Sequence, residues 1–436
     1  MVQAVCNGQD IGVAAPAPLA VFGDAALRLG GAALQILATL AVVHVLDPAL
    51  AGIYFKGFVV AIGLGALTRN KYELYATRYI IGRRAGEVGV SYRDLLRDSA
   101  RRVLVRSAVA CALVLVLTTD LDILEPHLHP YLQTFLPFVL AVPSTAMLGL
   151  LSSCLRAADR SLAGVIVSAY TVNTAILAAA VLLPAASLQW LSWAFLAGTV
   201  VAGALAAWFV HREFPAMPVN SSSSARLAWD ECHTGIDRNG LTGLSQAALL
   251  WGPTCLLAVF ASDVQMALFA VAIRSAMVVD FLLPALAFVP YQDSLRMFWR
   301  DWNCSAQKAL ARELFAAVFT GSLVVAAMTL AARPLLHLYG APYTGIAASY
   351  FLLLAVQWAN ASARPAVRYL TIQWHAPTIR RLLGTSAGLS MLACAAGLAL
   401  LEEGQAALAA AAAMLLGALL INGQALAKAW HSARCA

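Results

Sequence analysis

The stretch LFAVAIRSAMVVDFLLPALAFVP, residues 268–290, is apolar enough to dissolve in lipid, yet it carries Arg274 and Asp280. A charged side chain at the centre of a membrane helix costs at least about 2.5–3.5 kcal/mol on insertion scales. The stretch therefore raises two questions: whether the chain lies in a bilayer, and what the arginine does there. Composition answers the first. Of 436 residues, 61% are hydrophobic and 12% charged, and the mean hydropathy is +0.76; a soluble domain carries about 25% charged residues. Runs near the ~20 residues that span hydrocarbon recur at 25–46, 54–78, 107–119, 132–154, 162–183, 189–210, 239–260, 265–289, 313–332, 344–366, 382–400 and 406–427. The expected fold is an all-α polytopic membrane protein with about twelve transmembrane helices. The third run is short and must borrow from the arginine-rich stretch before it, whose side chains can snorkel to the interface.

Lysine and arginine set the orientation, because they stay on the cytoplasmic side. An even number of spans puts both termini on one side. Loops on that side hold 21 of the 29 basic residues, seven of them in 83–106. The opposite loops hold Arg333 alone, against the acids Asp47, Asp120, Asp122, Glu125, Asp263, Glu402 and Glu403. Both termini are thus expected in the cytoplasm. A basic face against anionic headgroups accounts for the +7 net charge without nucleic acid. No cleavable signal is apparent at the start. The eight cysteines are scattered without a CxxC pair, so neither a zinc site nor a disulfide framework is indicated. DECHTGID (230–237) is rich in ligand-type residues, but its spacing matches no metal motif and it reads as a solvated loop.

The connection 211–238 contains NSSSSA and divides the chain into an N-terminal block, 1–210, and a C-terminal block, 239–436, of six spans each. The blocks echo one another. LDPALAGIYFKG (46–57) and ASDVQMALFAVA (261–272) each place a short acidic turn before a small residue, an aliphatic and an aromatic: Gly52-Ile53-Tyr54 against Ala267-Leu268-Phe269, offset by 215. Parallel duplication of this kind is a common origin of transporters. The loops opposite the termini are short, and those on the termini side are smaller than the ~50 residues at which compact domains begin.

Arg274 lies about ten residues into span eight, or ~15 Å deep, too far from either surface to snorkel. It should face protein or a water-filled cavity, to bind substrate or to close an ion pair. Asp280 is six residues on, whereas helical neighbours are three or four apart, so the two pair poorly within one helix. Asp280 could bind a cation, carry a proton or neutralise another arginine. In TRNKYELYATRY (68–79), Arg69, Lys71 and Glu73 either line a cavity or form an interfacial cluster anchored by Tyr72, Tyr75 and Tyr79. Arg28, near the start of span one, poses the same choice. Gly252-Pro253 at the middle of span seven is a candidate gating hinge, since proline removes a helix hydrogen bond; a static kink is the alternative. Gln357, Asn360, Asn173 and Asn422 could line a polar path or join helices. No phosphate-binding GxxxxGK[ST], GxSxG elbow or HExxH motif occurs, so no catalytic residue, metal or cofactor is expected.

The opening LRLGGAALQILATLAVVHVLDPALAGIYFKGFVVAIGLGALTRNKYELYATRY (27–79), with its Leu46–Tyr54 turn, resembles the first helix pair of polysaccharide-transporter flippases, lipid-linked oligosaccharide carriers of the multidrug/oligosaccharidyl-lipid/polysaccharide (MOP) superfamily. SDVQMALFAVAIRSAMVVDFLLPALAFVPYQDSL (262–295) resembles that family's later helix ending in proline, with Ala267 where glycine is usual. The resemblance implies two six-helix bundles around a central cavity that opens alternately to each side of a bacterial inner membrane. It implies translocation of a polyprenyl-pyrophosphate-linked oligosaccharide for surface polysaccharide synthesis, with polysaccharide polymerases or glycosyltransferases as partners. Arg28 and Arg274 match by helix the arginines implicated in holding the lipid pyrophosphate, with Arg69 and Lys71 as further cavity candidates. The family's usual ion gradient makes Asp280 and Glu73 the coupling candidates. Two alternatives remain. One is an ion-coupled drug or solute antiporter, of this superfamily or of the major facilitator type, although TRYIIGRRAGEVG (77–89) lacks the Asp-Arg pair of the latter. The other is a membrane glycosyltransferase or ligase, which the short outer loops disfavour.

Overall fold

The computed structural model describes residues 18–69, 92–124, 129–158, 160–183, 187–213, 240–285, 306–372 and 376–435, with the single positions Tyr72, Ala76 and Ile80. Within them the chain is helical, and eleven helices are long and apolar enough to cross a membrane. This is an all-α polytopic membrane protein. Its lipid-facing surface carries large apolar side chains such as Val109, Val259, Phe315 and Leu330. In water they would be a liability, but acyl chains solvate them.

Helices α1 (Pro18–Val45) and α2 (Pro48–Arg69) form the first hairpin. Its turn follows from two residues. The Asp47 carboxylate accepts the N–H groups of Ala49 and Leu50, both at 2.9 Å, satisfying donors that a helix start leaves open. Pro48 follows at the one helical position where a missing N–H costs nothing. Helix α3 (Tyr92–Leu124) runs unbroken for 33 residues, about 50 Å at 1.5 Å per residue. It contains the short third span expected from hydropathy. Arg93, Arg97, Arg101, Arg102 and Arg106 fill its first half.

The fourth span is two helices, α4 (His129–Leu140) and α5 (Val142–Ala157), broken at Ala141 where Pro143 opens the second. The fifth is α6 (Ser161–Val165), a π-helical turn at Ile166–Tyr170, and α7 (Thr171–Leu182). The sixth is α8 (Leu188–Glu213). In the second half, α9 (Gly240–Phe260) is followed by the eighth span, split at Met277 into α10 (Asp263–Ala276) and α11 (Val278–Ala285). Then come α12 (Ala306–Leu330), the short α13 (Ala332–Leu338), α14 (Ala347–Ile372), α15 (Ala376–Leu400) and α16 (Ala406–Cys435).

Within the first half, α1 packs on α7, α7 on α8, and α5 on both α2 and α8. Within the second, α14 packs on α16 and α12, and α15 on α9 and α16. The halves meet mainly where α2 lies along α10 and α9, and where α1 lies along α11. The 215-residue offset equates α2 with α10, so the two echoing segments are themselves the central contact. That contact is close because α2 supplies glycine: a Cβ on Gly52 would overlap the carbonyl oxygen of Asp263 at the start of α10. Small residues let membrane helices approach backbone to backbone. Beside this approach, Lys56 Nζ lies 2.8 Å from the Asp263 carboxylate and donates at 3.0 Å to the carbonyl of Ala261, tying the two halves at this end. From Met266 to Ala276 every residue of α10 except Leu268 is buried.

Gly52→Ala should force α2 from α10 and destabilise the protein by about 1–3 kcal/mol, the usual cost of an overpacked contact. Thermal unfolding in detergent reads this directly. A melting temperature equal to that of the parent would show the two helix starts less tightly apposed than described.

Candidate functional site

Arg274 sits three residues before the break at Met277, some 16 Å along α10 from its start by helical rise. It is 8% exposed. Its guanidinium has five N–H donors, and the oxygens that meet it are neutral. Nε donates to Thr39 Oγ1 at 2.8 Å and Nη2 to Asn173 Oδ1 at 3.3 Å. Its carbon lies 4.6 Å from the centre of the Phe58 ring, a cation–π contact. Among the described residues no carboxylate pairs with it. Thr39 is on α1, Phe58 on α2 and Asn173 on α7, so each hydrogen bond and ring contact of the second-half arginine's side chain is with the first half.

The acceptors are aimed by their own bonds. Thr39 donates its hydroxyl hydrogen to the carbonyl of Gln35 at 2.8 Å, leaving a lone pair for Arg274. The amide nitrogen of Asn173 donates to the carbonyl of Ala169 at 2.7 Å, which turns Oδ1 toward the guanidinium. Gln35 Nε2 donates at 2.8 Å to the backbone carbonyl of Arg274 itself, closing the network. Asn173 lies just past the π-helical turn, an element that often marks functional positions. Two buried tyrosines, Tyr54 and Tyr339, stand close enough to the guanidinium to feel its charge. The Tyr339 hydroxyl shares a 3.0 Å hydrogen bond with Ser275 Oγ. Among the described residues the buried Tyr54 hydroxyl has no hydrogen-bond partner.

The other sequence candidates lie elsewhere. Arg28 is eleven residues from Thr39 on α1, and Arg69 eleven from Phe58 on α2, each about 16 Å along its helix toward the end bearing the arginine-rich loops. The Arg69 guanidinium lies over Gly149 of α5, where a Cβ would overlap Nη1. Neither shares a hydrogen bond with the Arg274 cluster. Lys71 and Glu73 lie outside the described residues. Asp280 is paired with Arg364 of α14, its Oδ1 2.6 Å from Nη2, with both side chains about one-third exposed. Nearby on α14, Asn360 accepts a 2.8 Å hydrogen bond from Asn422 of α16. Helix α9 runs unbroken through Gly252 and Pro253. A methyl on Gly252 would press on Met391 of α15, and the Pro253 carbonyl accepts the Cys394 thiol at 3.6 Å. This Gly-Pro pair is therefore a packing contact with α15.

No protein-family model matches the chain, and no curated protein does. Solved structures do. The chain is similar to a multidrug resistance MATE family transporter of the MOP superfamily in its inward-facing conformation, with a TM-score of 0.60 at 13% identity over 94% of this chain and 97% of that one. The outward-facing conformation of such a transporter gives 0.60 at 13% over 95% and 97%. A MOP superfamily transporter from Pyrococcus furiosus Vc1 (DSM3638), for which reverse polarity of the binding pocket suggests a different function, gives 0.59 at 14% over 95% of each chain. At these identities the likeness is one of fold.

The Asp280–Arg364 pair is testable apart from any transport. A double-mutant cycle with Asp280→Asn and Arg364→Gln should give a coupling of about 0.2–1 kcal/mol, as partly exposed ion pairs do. Strictly additive losses of thermal stability would mean that the carboxylate and guanidinium do not interact.

Proposed function

We propose that this chain is a membrane transporter working by alternating access, and that its cargo is an anionic, polyprenyl-pyrophosphate-linked oligosaccharide moved from the cytoplasmic to the outer leaflet of a bacterial inner membrane. The fold likeness to MOP superfamily transporters supports the transport class. The cargo rests on one observation: a buried arginine at mid-membrane depth, on the boundary between the halves, with neutral oxygens in place of a counterion. Withdrawing a cation from water costs several kcal/mol even after relaxation, and two hydrogen bonds to neutral oxygens with one aromatic face offset that only in part. A diphosphate offers the missing charge and several oxygens to a planar, multidonor guanidinium.

On this reading 1–210 and 239–436 are the two bundles, joined by 211–238, with both termini cytoplasmic. The basic residues nearer that face, Arg28, Arg69 and Lys71, line the entry path and hand the headgroup inward to Arg274. Asp280 is a coupling residue whose exchange partner is Arg364, with Glu73 as a second carboxylate. Gly252-Pro253 lets α9 bend against α15. The protein carries cargo without chemistry on it, and a glycosyltransferase or polymerase supplies or consumes the glycan.

A multidrug exporter is the second reading, favoured by the same fold likeness to multidrug resistance transporters. Arg274 argues against a cationic drug, which would meet like charge in a low-dielectric site.

Arg274→Ala should abolish surface glycan export while leaving the protein folded and inserted. Arg274→Lys should restore export only in part, since an ammonium keeps the charge without the planar fork. The readout is surface polysaccharide in a deletion strain complemented by each variant. Normal export by a stably inserted alanine variant would remove Arg274 from the mechanism.

A further inference from the structure

We infer that Arg274 is a clasp that its own cargo opens: the empty protein holds α10 to α1 and α7 through Thr39 and Asn173, and a phosphate-class oxyanion displaces both, taking a further hydrogen bond from Tyr54. The inference rests on the anionic cargo proposed above and adds the residue and the exchange through which binding reaches the fold.

The clasp is visible in what the guanidinium touches. Thr39, Phe58 and Asn173 stand on three helices of the first half, while Arg274 belongs to the second. The acceptors are neutral. The bonds to Thr39 and Asn173 have a charged donor only, whereas an oxyanion adds the attraction of opposite charges and can accept two parallel N–H bonds from the guanidinium fork, so an arriving phosphate outcompetes a hydroxyl and an amide. Elsewhere on the same boundary the protein uses a full ion pair, Lys56 with Asp263 at 2.8 Å. The neutral partners at Arg274 leave it exchangeable.

Tyr54 supplies the second half of the exchange. Tyr54 and Phe58 are four residues apart on α2, so they share one helix face, and Phe58 is the ring beneath the guanidinium. Tyr54 therefore leaves α2 one turn before Phe58, its ring edge-on to Phe138 with centroids 5.3 Å apart. It is 1% exposed, and among the described residues its hydroxyl has no hydrogen-bond partner. A buried donor without an acceptor is a standing penalty, and an oxyanion bound at Arg274 removes it. Thr39 and Asn173 lose Arg274 in that step, but each keeps the backbone acceptor that already orients it. The exchange thus leaves neither Thr39 nor Asn173 stranded, and Gln35, through its bond to the Arg274 carbonyl, still joins α1 to α10 when the guanidinium has let go.

The test follows the halves directly. Spin labels placed by Leu50→Cys and Leu338→Cys, both exposed and in opposite halves, report their separation in lipid nanodiscs after the eight native cysteines are replaced. Without ligand, Thr39→Val with Asn173→Leu should shift the distance distribution to the one that polyprenyl pyrophosphate produces in the parent; neutral polyprenol should leave the parent unshifted. Tyr54→Phe should keep the ligand-free distribution and need roughly ten times more polyprenyl pyrophosphate, the worth of one hydrogen bond to a charged group. The near-isosteric Thr39→Val serves alone if the double variant does not fold. An unchanged ligand-free distribution in the Thr39 variants would overturn the clasp. An unaltered ligand requirement in Tyr54→Phe would overturn the hydroxyl's part. A shift in the variants with no response of the parent to polyprenyl pyrophosphate would uphold the clasp and overturn the cargo assignment.

Discussion

A positive charge buried in the bilayer, with no counterion among the described residues, constrains everything around it. Arg274 lies on the most enclosed helix of the protein, and the oxygens it reaches belong to a threonine and an asparagine. The surroundings make this arrangement tolerable. Thr39 and Asn173 are each turned toward the guanidinium by a hydrogen bond of their own, Phe58 presents a ring face, and Gln35 holds the backbone of α10 in place. None of these groups cancels the charge. A site that fixes a cation by dipoles and leaves the charge uncompensated is suited to receive an anion.

The architecture explains how such a residue can also be mechanical. Helices α2 and α10, equated by the internal repeat, lie against each other across the boundary between the halves, brought close by Gly52. At one end they are tied by Lys56 and Asp263, and deeper in by Arg274. On the proposed reading, binding at the deeper tie acts on the contact that an opening of the two halves would break.

Much of the fold was legible in the chain. Hydropathy found the helices, because lipid admits few alternatives to a helix of about twenty apolar residues. The third span was the weak one, since its arginines lengthen α3 beyond its apolar part and lower its average hydropathy. Arg274 and Asp280 stood out as charges in lipid, and their separation of six residues ruled out pairing within the helix. Their true neighbours were not legible. Arg364 lies 84 residues beyond Asp280, and Thr39 lies 235 before Arg274; one sequence gives no measure of which helices touch. Tyr54, Phe58 and Thr39 also look like ordinary membrane residues, so only packing reveals them. Asn173 could be noticed as an amide, but its partner could not. Arg28 was grouped with Arg274 by helix number and Arg69 by its depth in span two, and each lies about three helical turns along its helix from the residue that touches Arg274.

Binding of polyprenyl pyrophosphate against the neutral polyprenol of equal chain length, measured by native mass spectrometry on the purified protein and on Arg274→Gln, addresses the uncompensated charge most directly. The account predicts that the protein prefers the pyrophosphate at least tenfold, and that glutamine at position 274 erases the preference while keeping binding of the neutral lipid. Equal retention of the two lipids by the parent protein, or a preference that survives in Arg274→Gln, would contradict it.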